Sequence, residues 1–421
     1  MADPWADPAA YDLVVCGAGP AGAIAAAHAA RAGLRVALVE KHRLPRHKPC
    51  GGGMPATVGP ELAALVPEAV RDFGITLMRH TWKGGEAQLG SVDGVDQPGS
   101  GSSRALWMVQ RPLFDQALVQ AAVGAGVEFW EGWQLRHVTV EPQEILLDLR
   151  RRGGAEVPPL ERRVTTRHLI GADGAGSVVA QSAGLRRSPR IGLALELEVP
   201  HRWDPADPVL RPDTLHLDYG VIRQGYAWAF PKADHINLGA GLFRLRHRDA
   251  RRDPTARTTI RAAIQTYAAT LGLEDRLEGL RVHAHPLPVW DGPEPLQSAD
   301  GRILLVGDAA GLINPLFGDG LFHAIRSGRL AAECLIAGRG LDYTRQIHAL
   351  LAEDFEAARR LTWLFYGLPG LTFRYGIANP RATAVAARML GGEIPFRGLP
   401  RRALVRIARG LLGQGARAGA V

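Results

Sequence analysis

The feature that most constrains the fold is a glycine-rich turn between an apolar run and an alanine-rich run. Tyr11–Cys16 reads YDLVVC, and its β-branched residues predict a buried strand. The turn is Gly17-Ala18-Gly19-Pro20-Ala21-Gly22, and the run 21–32 after it predicts a helix. Residues 35–40, RVALVE, predict a second buried strand. The first forty residues therefore predict a βαβ unit, the building block of an α/β fold with a parallel sheet.

The spacing of the three glycines fits a dinucleotide-binding turn. The first glycine permits the sharp turn, the second lets a pyrophosphate approach the backbone, and the third lets the helix pack on the strand. Glu40 ends the second predicted strand, near the offset at which an acid accepts hydrogen bonds from the adenosine ribose. The alternative is a glycine-rich turn in some other α/β fold, which would not explain why an acid, Glu40, stands at the end of the second predicted strand. We therefore predict a Rossmann site.

A second glycine-rich segment follows about three hundred residues later, at 301–320, GRILLVGDAAGLINPLFGDG. A predicted strand leads to Gly307 and Asp308, and Pro315, Gly318 and Gly320 lead to a helix that begins near Leu321. A flavin would use two features of this segment. Asp308 can hydrogen-bond the ribityl chain, and the helix N-terminus can stabilise the anionic edge of the reduced ring. The alternative is a strand-turn-helix unit without a ligand. The two segments together predict FAD.

The order of three motifs carries a family resemblance. The chain contains the first glycine turn, then the Asp173-Gly174 loop and then the loop GDAAGLINP at 307–315. This series of motifs resembles that of a flavoprotein superfamily that includes aromatic hydroxylases, halogenases and geranylgeranyl reductases. The resemblance implies that Arg111 reaches the FAD. Ala180 stands where the hydroxylases carry an arginine, which argues against their way of using NADPH.

Two further motifs resemble those of the geranylgeranyl reductases within this superfamily. The first is KPCGGGM at 48–54, which includes Cys50, and the second is GYAWAFP at 225–231. Three consecutive glycines would leave the backbone beside a flavin uncrowded. Strand alternation predicts that Tyr226, Trp228 and Phe230 share one face. An aromatic row is also compatible with an ordinary core, and Cys50 with a small buried residue beside a turn.

These motifs give two sets of predicted site residues. The catalytic candidates are Cys50, Tyr226 and Trp228. The residues predicted to bind FAD are Gly17, Gly19, Pro20, Ala21, Gly22, Glu40, Lys41, Cys50, Gly51, Gly52, Arg111, Asp173, Gly307, Asp308, Pro315, Gly318, Gly320 and Leu321. The histidines, among them His283 and His285, are interpreted mainly as surface or structural residues. No metal site is predicted, because the three cysteines are widely spaced and lack partners at ligand spacing.

The predicted fold class is α/β, with a Rossmann-type FAD-binding domain, an inserted antiparallel β-sheet substrate domain and a helical C-terminal region. The predicted division assigns residues 1–80, 105–185 and 290–340 to the FAD-binding domain. Residues 81–104 and 186–289 are assigned to the β-rich substrate domain, and 341–421 to the helical region. Such an arrangement lets two lobes share one active site.

Positive charge is concentrated at the C-terminus, where residues 381–421 carry eight arginines and one glutamate of a chain with net charge +8. The segment from Arg401 to Leu412 predicts a basic amphipathic helix that could contact a membrane surface. We expect no nucleic-acid partner. Residues 361–373 are expected to pack mainly on the protein's own core. The sequence also contains no apolar run of about 20 residues, and we expect a cytoplasmic protein or one peripheral at a membrane.

The resemblance implies a reductase that saturates carbon-carbon double bonds of a polyprenyl, geranylgeranyl-type isoprenoid, a role in lipid metabolism. NAD(P)H or a ferredoxin-like carrier would supply the electrons. Two alternatives remain open from the sequence. One is an FAD-dependent monooxygenase, either a hydroxylase or an epoxidase, that acts on an apolar substrate. The other is a non-catalytic prenyl-binding chaperone on the same fold.

Overall fold

The computed structural model describes residues 11–62, 65–92, 106–151, 159–186, 189–204, 206–243, 249–378, 380–390 and 394–399. The predicted helix from Arg401 to Leu412 lies outside the described residues.

The described residues form three sheets and a set of helices. In chain order, the strands are β1 (Tyr11–Cys16), β2 (Val36–Glu40), β3 (Gly53–Pro55), β4 (Arg71–Ile75), β5 (Leu77–Trp82), β6 (Gln88–Ser91), β7 (Leu106–Val109), β8 (Glu128–Glu131), β9 (Trp133–Val140), β10 (Ile145–Arg151), β11 (Leu160–Gly171), β12 (Arg190–Pro200), β13 (Thr214–Tyr219), β14 (Gly225–Pro231), β15 (His235–Leu242), β16 (His283–Val289) and β17 (Ile303–Leu305). The helices are α1 (Pro20–Arg31), α2 (Gly59–Leu62), α3 (Arg111–Gly124), α4 (Val178–Ser182), α5 (Ala256–Thr270), α6 (Gly307–Ala310), α7 (Leu321–Ile336), α8 (Tyr343–Gly367), α9 (Pro369–Thr372) and α10 (Pro380–Leu390).

The first sheet is the Rossmann sheet that the glycine turn predicts. Its strands follow the order β8-β2-β1-β11-β10-β9, and β17 pairs with the second half of β11. Strands β8, β2, β1, β11 and β17 run parallel, whereas β9 and β10 form an antiparallel extension. Helices α1 and α7 pack so closely that a Cβ on Gly328 would lie 2.2 Å from the Ala21 carbonyl oxygen. Both glycine-rich segments therefore leave this sheet at its carboxyl edge, where nucleotides bind in such folds.

The second sheet has the order β16-β12-β15-β14-β13-β5-β6 and is antiparallel except for the β5-β13 pair. Alternate side chains divide it into two faces. On one face, Leu195 and Ala227 belong to a buried cluster with Ile264 of α5. On the other face, residues two apart along β12, β13 and β14 line a cavity. The sheet is therefore an apolar platform covered by a helix on one side and open to a site on the other.

The C-terminal helices close the far end of this cavity. Tyr366 of α8 is buried, and Phe365 beside it lines the cavity. On the same helix Trp363 is 57% exposed, and Leu368 just beyond it is 50% exposed. Helix α10 packs on β6, where a Cβ on Gly90 would meet the side chain of Thr383. Among the described residues no helix has the length and apolarity needed to cross a bilayer.

The predicted fold class is confirmed by these sheets and helices. Strand β1 has the predicted bounds, and helix α7 begins at Leu321 as predicted. Arg111 is the first residue of α3. Strand β5 crosses the predicted domain boundary at residue 80 and pairs with β13 of the second sheet. The proposed division into domains remains a prediction.

Candidate active site

A cavity of about 520 Å³ lies between the carboxyl edge of the Rossmann sheet and the open face of the second sheet. One end is lined by the first glycine turn and Glu40, and the other by apolar side chains such as Met78, Leu217 and Phe365. Residues of the second glycine-rich segment, among them Asp308 and Gly318, line the space between them. The cavity thus joins a polar nucleotide-like end to an apolar end.

The first glycine turn has the backbone that a dinucleotide cradle needs. Gly17 has φ +105°, and a Cβ there would lie 2.2 Å from the Ala172 carbonyl oxygen. A Cβ on Gly22 would lie 1.9 Å from the Gly17 carbonyl oxygen, so the third glycine sets the helix-strand distance. Gly19 is the N-cap of α1, whose first turn has neither a capping side chain nor an acid. The free N–H groups of that turn are suited to an anion.

Two guanidinium groups face this helix N-terminus. A Cβ on Gly19 would lie 3.9 Å from Arg46 Nη2 and 4.0 Å from Arg111 Nη2. Asp115 orients both, because it accepts two hydrogen bonds of 2.8 Å from Arg111 and lies 3.0 Å from Arg46 Nη1. The bidentate pair fixes the Arg111 side chain in a buried position. The residues of this end fit a pyrophosphate.

Glu40 lies at the end of β2 as predicted and is buried. Its carboxylate accepts hydrogen bonds of 3.0 Å from the backbone N–H groups of Ala18 and His42. Arg46 Nε lies 3.6 Å from the same carboxylate. Glu40 therefore couples the glycine turn to the segment that follows β2, and it lines the cavity where a ribose would bind.

Asp308 sits in a cluster with Lys48 and His285. Its Oδ2 lies 3.9 Å from Lys48 Nζ and 3.6 Å from His285 Nε2, and the two nitrogen atoms are 3.1 Å apart. Burial alone would raise the pKa of Asp308, but the hydrogen bond to His285 and the charge of Lys48 lower it to about 2. Burial lowers the pKa of His285, and the Lys48 charge acts in the same direction. At neutral pH the cluster therefore holds an ionised Asp308 beside a neutral imidazole.

The CGGG loop, residues 50–53, is anchored at several points along its backbone. The Cys50 N–H donates to Glu196 Oε1 at 2.7 Å, and the Gly52 N–H donates to Cys50 Sγ at 3.3 Å. Gly52 has φ +68°, and a Cβ there would overlap Lys232 Nζ and the Val109 carbonyl oxygen. The loop is therefore held in one conformation by its neighbours, and its glycines are required by close packing as well as by φ.

An aromatic row lines the opposite side of the cavity. The rings of Tyr226 and Trp228 are 6.0 Å apart, and those of Trp228 and Phe230 are 6.1 Å apart. Tyr219 and Phe365 continue the row toward the C-terminal helices, with ring centroids 5.5 Å apart. All of these side chains line the cavity. The row forms an apolar surface along which a chain of methylated carbons can lie.

The sequence is similar to those of known flavoproteins and reductases. The sequence profile of the FAD binding domain family matches residues 10–338. The geranylgeranyl diphosphate reductase of Rhodobacter capsulatus is 32% identical over 332 residues, which cover 78% of this chain and 75% of that protein. The menaquinone reductase of Mycobacterium tuberculosis is 31% identical over 407 residues, which cover 91% of each. The chain belongs to the geranylgeranyl reductase family of FAD-dependent oxidoreductases.

Solved structures support the same fold for this geranylgeranyl reductase family member. A geranylgeranyl bacteriochlorophyll reductase-like protein from Thermoplasma acidophilum superposes with a TM-score of 0.69 at 21% identity, covering 95% of this chain and 96% of that one. A flavin-dependent brominase superposes with a TM-score of 0.67 at 18% identity, covering 97% and 100%. The predictions of FAD, of an enzyme and of the family are confirmed.

Most of the predicted site residues line the cavity of about 520 Å³. They are Gly17, Gly19, Pro20, Ala21, Glu40, Lys41, Cys50, Gly51, Gly52, Arg111, Asp173, Tyr226, Trp228, Gly307, Asp308, Gly318, Gly320 and Leu321. Gly22 lies behind the turn, and Pro315 faces a separate, smaller cavity. Asp173 accepts hydrogen bonds from the Val178 and Val179 N–H groups, so it also caps α4. The individual roles of these residues remain predictions.

Several residues of the cavity were not assigned to the site from the sequence. Arg46 and Lys48 lie on a segment without regular secondary structure, so no periodicity indicated their direction. His285 was interpreted as structural, yet it faces Asp308 from β16. Glu196 lies on β12, where the alternating sequence LALELEV could have indicated a polar residue on an apolar face. These positions became visible only when distant strands were brought together.

Proposed function

We propose that this enzyme saturates carbon-carbon double bonds of a polyprenyl chain. The observation that carries the proposal is the continuity of the cavity, which runs from the nucleotide-like end past Asp308 and the CGGG loop to the aromatic row. A long apolar substrate can lie along Tyr219, Tyr226 and Trp228 and still reach the middle of the cavity. Its burial contributes about 25 cal/mol for each Å² removed from water.

We propose that the residues of the polar end hold the FAD. The N–H groups of the first turn of α1, with Arg46 and Arg111, would bind the pyrophosphate, and Glu40 the ribose. Asp308 would accept a hydrogen bond from the ribityl chain, and the N-terminus of α7, which Gly320 caps, would face the ring. When bound and reduced, the flavin supplies a hydride.

The protein's own contribution is to orient the substrate and exclude water. The aromatic row positions the double bond, while the C-terminal helices close the apolar end with Phe365 and Tyr366. Arg111 and Lys48 place positive charge near the polar end. The catalytic roles proposed for Cys50, Tyr226 and Trp228 are contacts with the substrate at the point where the CGGG loop meets the row.

Two substrate classes are favoured by the relatives. One relative is named for geranylgeranyl diphosphate and another, which is covered over more of its length, for menaquinone. Both compounds carry an isoprenoid chain. A prenylated quinone or a prenyl diphosphate is therefore the proposed substrate, and NAD(P)H or a ferredoxin-like carrier the proposed electron donor.

We also propose that the enzyme is peripheral at the membrane that holds such a substrate. Trp363 and Leu368 expose apolar surface on the helical segment that closes the cavity. Later in the sequence, the segment from Arg401 to Leu412 contains four arginines and no acidic residue. Exposed aromatic residues beside basic ones are typical of surfaces that bind anionic lipid.

The test is a single-turnover assay. The FAD-loaded enzyme is reduced with dithionite under nitrogen and incubated with geranylgeranyl diphosphate or menaquinone, and mass spectrometry measures the gain of two hydrogens per double bond. Saturation of either compound supports the proposal. Oxygen consumption coupled to NAD(P)H without saturation would favour the monooxygenase instead, although Ala180 at the arginine position argues against it. No reaction with either compound would refute the substrate proposal.

A further inference from the structure

Saturation of an alkene needs a proton as well as a hydride, and the cavity contains one carboxyl group suited to supply it. This inference rests on the proposed function. Glu196 lies on β12 with its side chain 4% exposed, and it lines the cavity on the same sheet face as Trp228. The neighbouring side chain on that face, Ala194, is small, so it leaves space beside the carboxyl group.

The contacts of Glu196 join the three parts of the proposed substrate site. Its Oε1 accepts the Cys50 N–H of the CGGG loop at 2.7 Å. The Asn237 side chain hydrogen-bonds the same carboxyl group, and Asn237 Oδ1 accepts the indole N–H of Trp228 at 2.8 Å. Glu196 therefore lies where the loop, β15 and the aromatic row meet, and its position is fixed from two sides.

Several other acidic groups of the cavity are already engaged. The Tyr226 hydroxyl donates to the Phe317 carbonyl oxygen, and the Trp228 N–H donates to Asn237. Asp308 is ionised beside Lys48, and Asp319 lies 3.3 Å from His323 Nε2. Each of these groups would have to break an existing contact to release or hold a proton. Among the described residues Glu196 only accepts hydrogen bonds, from the Cys50 N–H and from Asn237, so a proton on its carboxyl group would not already be donated to another residue.

We propose that Glu196 is the acid that protonates the substrate double bond. The double bond gains a hydride from the reduced flavin at one carbon and the Glu196 carboxyl proton at the other. The O–H bond breaks as the second C–H bond forms, and the π electron pair becomes that bond. Reduced FAD, when bound, would supply the two electrons with the hydride, and the Glu196 carboxylate would then regain a proton from water.

The surroundings of Glu196 favour a carboxyl group that stores a proton. Burial raises its pKa, which hydrogen bonds from Asn237 and Cys50 and the charge of Lys232 oppose, while the Glu198 charge raises it further. His283 on β16 lies opposite Glu196 in the strand pairing. These groups, with Cys50, are the titratable and charged neighbours that a pH profile of this site must consider.

The decisive variant is Glu196→Gln, which keeps an oxygen acceptor for the Cys50 N–H but removes the acid. We expect normal FAD binding and a fall in the single-turnover rate of about 100-fold or more, the usual contribution of a general acid. Glu196→Asp should recover part of the rate. Glu198→Gln is the matched control, since it removes a half-exposed carboxylate two residues away on the same strand, whose charge affects the pKa of Glu196 less than burial does. It should retain the wild-type rate.

A second measurement needs neither flavin turnover nor substrate. Infrared spectroscopy of the flavin-free protein should show a protonated carboxyl band at neutral pH that is missing in Glu196→Gln and present in Glu198→Gln. A wild-type rate in Glu196→Gln, or an ionised Glu196 at neutral pH, would overturn the proposal. If the wild-type enzyme saturates neither substrate, the proposed function fails, and the infrared band still decides whether Glu196 stores a proton.

Discussion

The ammonium group of Lys232 donates a hydrogen bond of 2.6 Å to the carbonyl oxygen of Gly51. It donates a second hydrogen bond of 2.8 Å to the carbonyl oxygen of Val109. Lys232 lies just beyond β14, so one buried side chain connects the end of the aromatic row to the CGGG loop and to β7. The position of the loop therefore depends on a charge that is almost completely removed from water.

Lys232→Met should destabilise the protein at neutral pH, because it leaves two buried carbonyl groups unpaired, each at a cost of about 1–3 kcal/mol. Burial lowers the pKa of Lys232 to about 8, against 10.5 for the unperturbed group. Between these values the unfolded chain binds more protons than the native protein, so wild-type stability should rise with pH relative to the variant. Urea unfolding of both proteins at pH values on either side of 8 measures the difference. If the free energies of unfolding of the two proteins changed in parallel with pH, the lowered pKa of Lys232 would be contradicted.

Gly52→Ala should be strongly destabilising, because its φ is +68° and a Cβ would lie 2.2 Å from both Lys232 Nζ and the Val109 carbonyl oxygen. A residue forced into this backbone region costs about 1–3 kcal/mol before the steric overlap is counted. Gly53→Ala is the matched control, since nothing lies within 4 Å of its Cβ position. Chemical unfolding compares the two variants, and equal stability would show that the loop adapts.

Gly22→Ala should yield a protein that binds FAD weakly. A Cβ there would lie 1.9 Å from the Gly17 carbonyl oxygen, so α1 would have to move away from β1 and take its N-terminal N–H groups with it. Gly124→Ala in α3, where no atom lies within 4 Å of the Cβ position, serves as the control and should retain FAD. Flavin absorbance after gel filtration measures occupancy. A Gly22→Ala protein with full FAD occupancy would refute the claim that Gly22 sets the distance between α1 and β1.

Asp308→Asn should lower FAD affinity about tenfold, the typical effect of losing a hydrogen bond to a charged group. It should also change acid stability. The pKa of Asp308 is lowered to about 2 from 3.8, so its contribution to stability is complete above pH 3.8 and is lost as the pH falls toward 2. Titration calorimetry with FAD and acid unfolding test the two effects. A variant with unchanged acid unfolding would contradict the lowered pKa.

The sequence predicts the elements of this fold well wherever local chemistry decides them. The glycine turn at Gly17, the acid at Glu40 and the start of α7 after Gly320 follow from backbone requirements within a few residues. The alternation in β14 correctly predicts one face for Tyr226 and Trp228, because a strand has a fixed period of two.

The parts that the sequence does not predict depend on contacts between distant strands. Lys232 meets Gly51 across 181 residues, and His285 meets Lys48 across 237. No local pattern carries such a pairing, since it is set by the order of strands in the second sheet. For the same reason Glu196 reads as one charge in an alternating strand, although the fold turns it toward Cys50.

Leu217→Trp tests the position of the substrate chain. Leu217 lines the cavity and lies opposite Trp228 in the pairing of β13 with β14, so an indole at this position would occupy the space along the aromatic row. The overpacking costs about 1–3 kcal/mol, and we therefore expect binding of a geranylgeranyl chain to weaken by about tenfold or more. FAD occupancy should not change, because the polar end is untouched. Val140→Trp, on an exposed position of β9, controls for the added aromatic group. Single-turnover rates at sub-saturating geranylgeranyl diphosphate measure this binding, and equal rates in the two variants would mean that the prenyl chain lies elsewhere in the cavity.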